Sequence, residues 1–467
     1  SSNRELQNVK KASTAVFAVS MIALSVAAQA EPTSQEFVPT TLATTNLQGE
    51  AKGFLEDSKL TGSTRNWYAN ELLRRGGTFS RSENGVVVDR DPRRINWVQG
   101  TILDYSSGFT QGTVGFSTQF AAYNAIALDR DINDIAGDNN RTLTRHNGDA
   151  VGQWSKLGLA NISARISNTT LTAGRQNFSS PTIDVIGNRA LPSSFQGVAL
   201  HSEEFNNLSF DAGSFDRVSP RTEASLSKFR SEYSATGVET DRASVAGLNY
   251  QPFKNLKTTL YATHVEDFWN QYYFGAVHDM GDNATLGLNT NFNYYKTLDT
   301  GSKAMGNINN DAYSLAFALT HQAHTVSLSF QQIAGDEYFD YLHETNGIYL
   351  ANSLLSDFNG PNEKSLQLAY SINMAQYGIP GLKFNAYHAR GWDIDGTHYK
   401  GTAYDVRNMD GEKHYEYSVG TSYAIQSGPL KATAIRATYT THRASKNQAD
   451  GSINEFRVVT TIPFNIL

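Results

Sequence analysis

The chain has 467 residues and no cysteine. A disulfide framework, thiolate catalysis and thiolate metal binding are all closed to it. A basic excess is also missing: 39 Lys and Arg stand against 45 Asp and Glu, a net charge of −6, with no basic block. That excludes the electrostatic footprint of a nucleic-acid-binding protein. Proline is scarce, at 11. No run reaches the roughly 18 consecutive apolar residues of a membrane-spanning helix. The chain does have 23 Tyr, 24 Phe and many short alternating runs.

Residues 1–30 read as a secretory leader. Lys10 and Lys11 give it a positive start, an apolar run follows from Ala15 to Val26, and Ala28-Gln29-Ala30 is a small-residue cleavage site. Its removal leaves 31–467 with 36 positive and 44 negative side chains, net −8. An exported chain without a spanning helix belongs to the periplasm, the medium, or an outer membrane crossed by strands.

The main signal is strict alternation. In 312–320, Tyr313, Leu315, Phe317 and Leu319 alternate with Ser314, Ala316, Ala318 and Thr320. In 365–374, Leu366, Leu368, Tyr370, Ile372 and Met374 alternate with Gln367, Ala369, Ser371 and Asn373. The runs at 286–295, 325–331 and 415–425 behave alike. A soluble β-sandwich alternates too, with its apolar face inward. Here the polar face is small and uncharged, which suits a lumen better than a free surface. Short turns at 251–255, 322–324, 378–381 and 426–429 alternate with long polar segments at 334–363, 392–414 and 442–454. Tight turns at one rim and long loops at the other describe an outer-membrane barrel. Tyr415, Tyr423, Tyr439 and Phe464 lie near strand ends, where membrane girdles fall. Counting back from Leu467 to a first strand at 53–70 gives 18 candidate strands, an even number. The expected fold is all-β: an 18-stranded antiparallel transmembrane β-barrel spanning 31–467. Closure has a simple cause, since in lipid only a closed sheet pairs every backbone N–H and C=O.

Two segments are too apolar to hang in water. Residues 177–196 hold Pro181, Ile183, Val185, Ile186, Leu191, Pro192 and Phe195, and 334–363 is rich in Tyr, Phe and Leu. Folding into the lumen against the wall explains both; an extracellular cap packed on itself is the alternative. The polar stretch 126–157 is expected outside.

Alternation also assigns facing. Phe456, Val458, Ile462, Phe464 and Ile466 point to lipid, so Arg457 points inward; Ile435, Ala437 and Tyr439 place Arg436 inward; Ala160, Ile162, Ala164 and Ile166 place Arg165 inward. An arginine on the lipid face near the midplane would cost about 2–4 kcal/mol. The pattern leaves Arg65 and Arg390 unassigned. A row of permanently charged guanidiniums can pass a carboxylate from one to the next. The competing role for each is bracing the wall through acids such as Glu416 and Glu455.

The stretches SGFTQGTVGF (107–116), NRALPSSFQG (188–197), GDEYFDYL (335–342), SDFNGPNEKS (356–365) and GIPGLKF (378–384) make the chain similar to the OprD-type outer-membrane channels. The resemblance runs from one end of 31–467 to the other. It implies an 18-stranded barrel, inward-folded third and seventh loops (177–196 and 334–363), and a basic ladder facing a polar loop wall. By position Arg65, Arg165, Arg390, Arg436 and Arg457 match the ladder. Pro181, Asp184 and Arg189 in the third loop, with Asp336, Tyr338, Asp340, Tyr349, Asn352 and Ser353 in the seventh, are the candidate constriction residues. The resemblance further implies passive uptake of small anionic or zwitterionic solutes, such as amino acids or aromatic acids, across the outer membrane of a Gram-negative bacterium. The third-loop stretch RQNFSSPTIDVIGNRA and the long 126–157 segment depart from the better-known members.

Other readings are weaker. Asp129, Asp131 and Asn133 begin like a calcium loop, but Asp134 stands where glycine is needed and Asn140 where the bidentate glutamate belongs. His321 and His324 flank an expected tight turn, and a metal pair there is set aside. No spaced motif supports an enzyme, so no catalytic residue, cofactor or metal is expected. A surface adhesin is a third class, and a general diffusion or oligosaccharide porin is the runner-up on the same barrel. Expected partners are the solutes, outer-membrane lipid and lipopolysaccharide, with no nucleic acid, in a monomer or loose trimer.

Overall fold

The computed structural model describes residues 46–128 and 142–467. The expected leader and the calcium-like stretch from Asp129 to Asn140 lie outside the described residues. In chain order the strands are β1 (Lys59–Leu73), β2 (Phe79–Glu83), β3 (Val86–Asp91), β4 (Arg93–Ser106), β5 (Val114–Ala127), β6 (Gln153–Ile166), β7 (Thr169–Gln176), β8 (Ser194–Phe205), β9 (Leu208–Ser219), β10 (Phe229–Arg230) and β11 (Glu239–Thr240). They continue as β12 (Ala243–Phe253), β13 (Leu256–Val265), β14 (Trp269–Asp282), β15 (Leu286–Asp299), β16 (Asn309–His321), β17 (His324–Ala334), β18 (Lys364–Asn373), β19 (Leu382–Asp395), β20 (Asp410–Ala424), β21 (Ala434–Ala444) and β22 (Ile453–Asn465).

Eighteen of these form one sheet, and β1 closes it by pairing antiparallel with both β22 and β4. The chain's last residues finish the seam: the Ile466 amide donates to the Leu60 carbonyl at 2.9 Å. β2 with β3 and β10 with β11 make two small hairpins above the long-loop rim. Every expected barrel strand is present. The first one starts at Lys59 rather than 53, because turn bonds such as Asp57 N to Gly53 O (3.3 Å) coil the preceding residues beneath the barrel. The hairpin β2–β3 lies outside the expected strands: β3 is exposed along its whole length, only Phe79 and Ser82 of β2 are buried, and neither strand carries a period-two apolar signal.

Facing follows the pattern. Outward positions such as Phe116, Ile162, Leu260, Leu328, Leu368, Val419 and Phe456 are all exposed. The inward residues next to them are polar and buried, as Asn161, Ser329, Gln367, Ser418 and Glu455 show. So large an apolar belt around a sheet with no free edge is tolerable only against acyl chains. Tyr423 and Tyr439 sit exposed on this face. Near the short-turn rim His324 bonds the hydroxyls of Tyr370 (2.6 Å) and Tyr377 (3.0 Å), so this histidine belongs to the girdle.

The lumen is partly filled. Loop 3 (177–193) and loop 7 (335–363) fold inward, and loop 4 (220–242) and loop 8 (396–409) pack above them. Phe178, Ile183, Phe339, Ile348 and Leu350 meet the wall residues Phe195, Phe215, Tyr273 and Tyr295 in one buried cluster. The apolar content of both loops is thereby removed from water.

Candidate functional site

The closing seam carries the basic residues. On adjacent strands β21, β22, β1 and β4, inward positions line up in cross-strand rows. One row is Ala434–Thr461–Arg65–Gly100, the next Arg436–Val459–Trp67–Val98, the next Thr438–Arg457–Ala69–Asn96, and the next Thr440–Glu455–Glu71–Arg94. Each row therefore holds one arginine. Rows two residues apart along a strand rise by roughly 6.6–6.8 Å, so four guanidiniums climb the wall for about 20 Å. Small neighbours such as Ala434, Thr438, Ala69 and Gly100 leave room beside them.

The four are held differently. Arg65 donates through Nε to Thr461 Oγ1 at 3.0 Å and through Nη1 to the loop 3 carbonyls of Gly187 (2.8 Å) and Arg189 (2.9 Å). It thus pins loop 3 to the seam. Gly100 makes this close approach possible, since a Cβ there would lie 2.4 Å from the Ala190 carbonyl oxygen. Arg457 meets Glu455 at 2.9 Å and lies over the Trp67 ring at 5.3 Å. Arg94 grips Glu71 with two bonds of 2.6 and 2.9 Å. Arg65 and Arg436 each keep 7% of their surface exposed, whereas Arg457 keeps 2% and Arg94 1%. Solvent therefore reaches the first pair more than the second.

Two sequence-matched arginines lie elsewhere. Arg165 does point inward, but on β6 at the short-turn rim. Its Nε donates to Gln48 Oε1 at 3.0 Å, its Nη2 to the Leu47 carbonyl at 3.2 Å, and its guanidinium covers Phe109 at 3.8 Å. It clamps the N-terminal segment under the barrel. Arg390 faces outward and is not on the lumen wall: it is exposed, aligns with Leu366 and Tyr415, and sits 5.8 Å from the Tyr415 ring. Its position near the long-loop end of β19 keeps its charge away from the midplane, where lipid exposure would be costly.

The loop residues mostly hold the plug together. The Pro181 carbonyl accepts from Tyr295 Oη at 2.6 Å. The Asp184 carboxylate accepts from Tyr349 Oη at 2.8 Å, joining loop 3 to loop 7. Burial pushes the Asp184 carboxyl up to about 7. Arg189 is fully buried. Asp340 accepts from Ser231 Oγ, from Tyr404 Oη at 2.8 Å and from the Tyr341 amide at 2.8 Å; burial pushes it up to about 7. Tyr338 stacks on Tyr233 at 4.5 Å. Asn352 donates to Ser365 Oγ at 3.0 Å, and Ser353 Oγ to Asp357 Oδ1 at 2.7 Å, both buried. Asp340, Asn352 and Ser353 are thus loop anchors rather than lining. Asp336 is exposed, bonded to Asn362 Nδ2 at 3.1 Å where loop 7 begins, and so lies at the rim instead of the constriction.

Sequence reasoning missed several polar groups. Arg94 fell one residue outside its expected strand. In loop 4, Arg221 reaches Glu344 of loop 7 at 2.9 Å and Asn188 Oδ1 of loop 3 at 2.5 Å, tying three loops together. Burial pushes the Glu344 carboxyl up, but Arg221 and His343 more than reverse this and hold it well below the usual range. Lys156 Nζ donates to the carbonyls of Pro220 (2.5 Å) and Glu223 (3.0 Å), from a strand whose register shifts opposite Ala121 and Ala122. On the wall of β8 and β9, His201 stands between Asp211 (2.6 Å) and Glu203 (2.8 Å).

Comparison with known proteins matches this architecture. A family model described as outer membrane porin, OprD family, matches residues 52–466. Porin D of Pseudomonas aeruginosa is 37% identical over 434 residues, covering 90% of this chain and 94% of its own. The crystal structure of Pseudomonas aeruginosa OccD3 (OpdP) superposes with a TM-score of 0.80 at 45% identity, covering 92% of this chain and 95% of its own. The crystal structure of Pseudomonas aeruginosa OpdK with vanillate gives a TM-score of 0.76 at 25% identity, covering 89% of this chain and 100% of its own.

Proposed function

The chain belongs to the OprD family of outer membrane porins, and from that premise we propose that it is a substrate-specific channel for small carboxylate-bearing solutes. Such solutes, amino acids and aromatic or other organic acids, diffuse passively through the barrel of an outer membrane in a Gram-negative bacterium. The observation that carries this reading is the row of Arg65, Arg436, Arg457 and Arg94 on four adjacent strands, one per level. A guanidinium keeps its charge at any physiological pH and pairs with carboxylates in a fork. Arg436 is the contacting rung, with Arg65 beside the loop 3 carbonyls where that loop meets the seam. Arg457 and Arg94, nearly enclosed and paired with Glu455 and Glu71, brace the upper seam and add little charge of their own. Repeated moderate sites favour entry without trapping the solute. The vanillate in the OpdK crystal structure is a carboxylate, which supports the solute class.

Size selection falls to loops 3 and 7, and charge selection to the seam. The mature chain is 31–467 after loss of the leader. Lipid and lipopolysaccharide cover the outer face, and the protein works as a monomer or loose trimer. Planar-bilayer recording tests the reading. Anion-favouring conductance, blocked by benzoate or glutamate but not by maltotriose, is the expected outcome. Block by sugar oligomers with indifference to carboxylates would favour the oligosaccharide channel instead.

A further inference from the structure

At the long-loop rim, far up the wall from Arg65, His414 on β20 and His442 on β21 face each other across 2.8 Å, Nδ1 to Nε2. Both are buried. Their outer nitrogens are already committed. His414 Nε2 lies 2.7 Å from Glu363 Oε2 and His442 Nδ1 lies 2.6 Å from the Gly451 carbonyl oxygen. A carboxylate and a carbonyl accept, so each outer nitrogen carries the proton. With both outer nitrogens donating, the inner pair is joined by a hydrogen bond that holds one further proton between the rings. A divalent cation can take the place of that proton, accepting both inner nitrogens. A carboxylate oxygen of Asp450 completes the group: the three ligand atoms lie within 4.8 Å of one another.

We propose that His414, His442 and Asp450 form a divalent transition-metal site of the zinc type. Two imidazoles and one carboxylate are a ligand set suited to zinc, nickel or copper, with a fourth position left for water. The Glu363 carboxylate behind His414 and the Gly451 carbonyl behind His442 are the outer partners that fix tautomer and ring orientation in metal sites. Room for this arrangement is built into the wall, since a Cβ on Gly391 would lie 2.3 Å from Glu363 Oε2 and 2.6 Å from His414 Nε2. Phe358 of loop 7 stacks on His414 at 4.3 Å and shields it. Tetrahedral ligation sets ligand nitrogens roughly 3.3 Å apart, so the rings need only part slightly. Asp450 has further to come, and it sits half-buried in loop 9 (445–452) with Ser356 Oγ at 2.5 Å and Gln448 Nε2 at 2.8 Å. Metal binding therefore draws loop 9 onto the wall and, through Ser356, Phe358 and Glu363, tightens loop 7.

The test uses tag-free protein in detergent, stripped with EDTA and titrated with Zn²⁺ by calorimetry, and with Co²⁺ read by visible absorption. The expected result is one Zn²⁺ per chain and a tetrahedral Co²⁺ spectrum. His442→Ala should abolish both, and Glu363→Gln should weaken zinc about 10–100-fold, as loss of an outer-shell partner does. Heat-modifiable gel mobility reports whether each variant is folded. Should His442→Ala fail to fold, Asp450→Asn in the loop decides, with an expected loss of at least about tenfold. Absence of stoichiometric zinc binding would mean that a proton joins the two rings and would overturn the proposal. Binding unchanged in both His442→Ala and Asp450→Asn would overturn it equally.

Discussion

Tyr349 Oη donates to Asp184 Oδ2 at 2.8 Å, so the seventh loop holds the third by a hydrogen bond to a buried carboxyl. The Asn346 amide strengthens the join by donating to the Asp184 carbonyl at 2.9 Å. Burial places the carboxyl at about 7, above the roughly 3.9 of an exposed aspartate. The folded loops therefore prefer the protonated form. Their extra stability is complete below about pH 4 and is lost as pH rises through about 7. Open-channel noise should accordingly grow from about pH 4 to about pH 7 and level off above it. Asp340 and Glu337 of loop 7, also raised by burial to about 7, add to the same trend. Asp184→Asn should remove part of the pH response and Asp184→Asn/Asp340→Asn more of it. A double variant with the full response would refute this account.

Arg221 is expected to matter more for order than for conduction. Its side chain meets Glu344 at 2.9 Å and Asn188 Oδ1 at 2.5 Å, with Arg221 and Glu344 both buried. Arg221→Ala leaves the Glu344 carboxylate buried without this partner, a change that costs about 3–5 kcal/mol in comparable sites. Barrel strands do not depend on the pair, so the loss falls on loops 3, 4 and 7. Limited proteolysis should cut these loops at least tenfold faster while the barrel keeps its heat-modifiable mobility. Arg221→Ala/Glu344→Gln should recover part of the protection, because the stranded charge is gone.

Gly100→Val tests how loop 3 is seated. The added Cβ would lie 2.4 Å from the Ala190 carbonyl oxygen, backbone that has no flexible end to swing away. Loop 3 must move off the wall into the lumen, pulling the Gly187 and Arg189 carbonyls from Arg65. Single-channel conductance should fall, with strand content unchanged by circular dichroism. A rise in conductance would mean that the loop leaves the lumen altogether.

Much of this architecture is legible from residues alone, because a barrel wall writes a two-residue period into its strands. Phe456 and Arg457 declare opposite faces, and most of the 18 barrel strands show such pairs. Arg390 was not legible: its strand mixes His388, Arg390 and Trp392 with Tyr387 and Ala389, so neither parity reads as apolar. Arg94 was lost because strand ends rise above the membrane, where the apolar signal stops. The loop contacts were hidden for a different reason. Asp340 gathers Ser231, Tyr233, Tyr341 and Tyr404 from three loops, and no local spacing announces partners that meet only when the loops fold in. The histidine pair depends on the register between β20 and β21 and on the position of loop 9, neither of which composition contains.

The seam makes a graded expectation rather than a uniform one. Arg436 keeps more solvent contact than Arg457, 7% against 2%. Arg436→Ala should therefore lower carboxylate flux and carboxylate block more than Arg457→Ala does, by roughly tenfold against severalfold, since one good charge-assisted contact is worth about 1.5–3 kcal/mol. Flux of a neutral sugar of equal size should stay within about twofold in both, because the change removes charge and not a wall of the constriction. Glu455→Gln works in the opposite sense. Glu455 lies 2.9 Å from Arg457 and offsets its charge, so the neutral amide should raise the anion-to-cation permeability ratio. Reversal potentials in a salt gradient read this directly. Equal loss of carboxylate and sugar in Arg436→Ala, with an unmoved reversal potential in Glu455→Gln, would mean that the seam arginines only brace the wall.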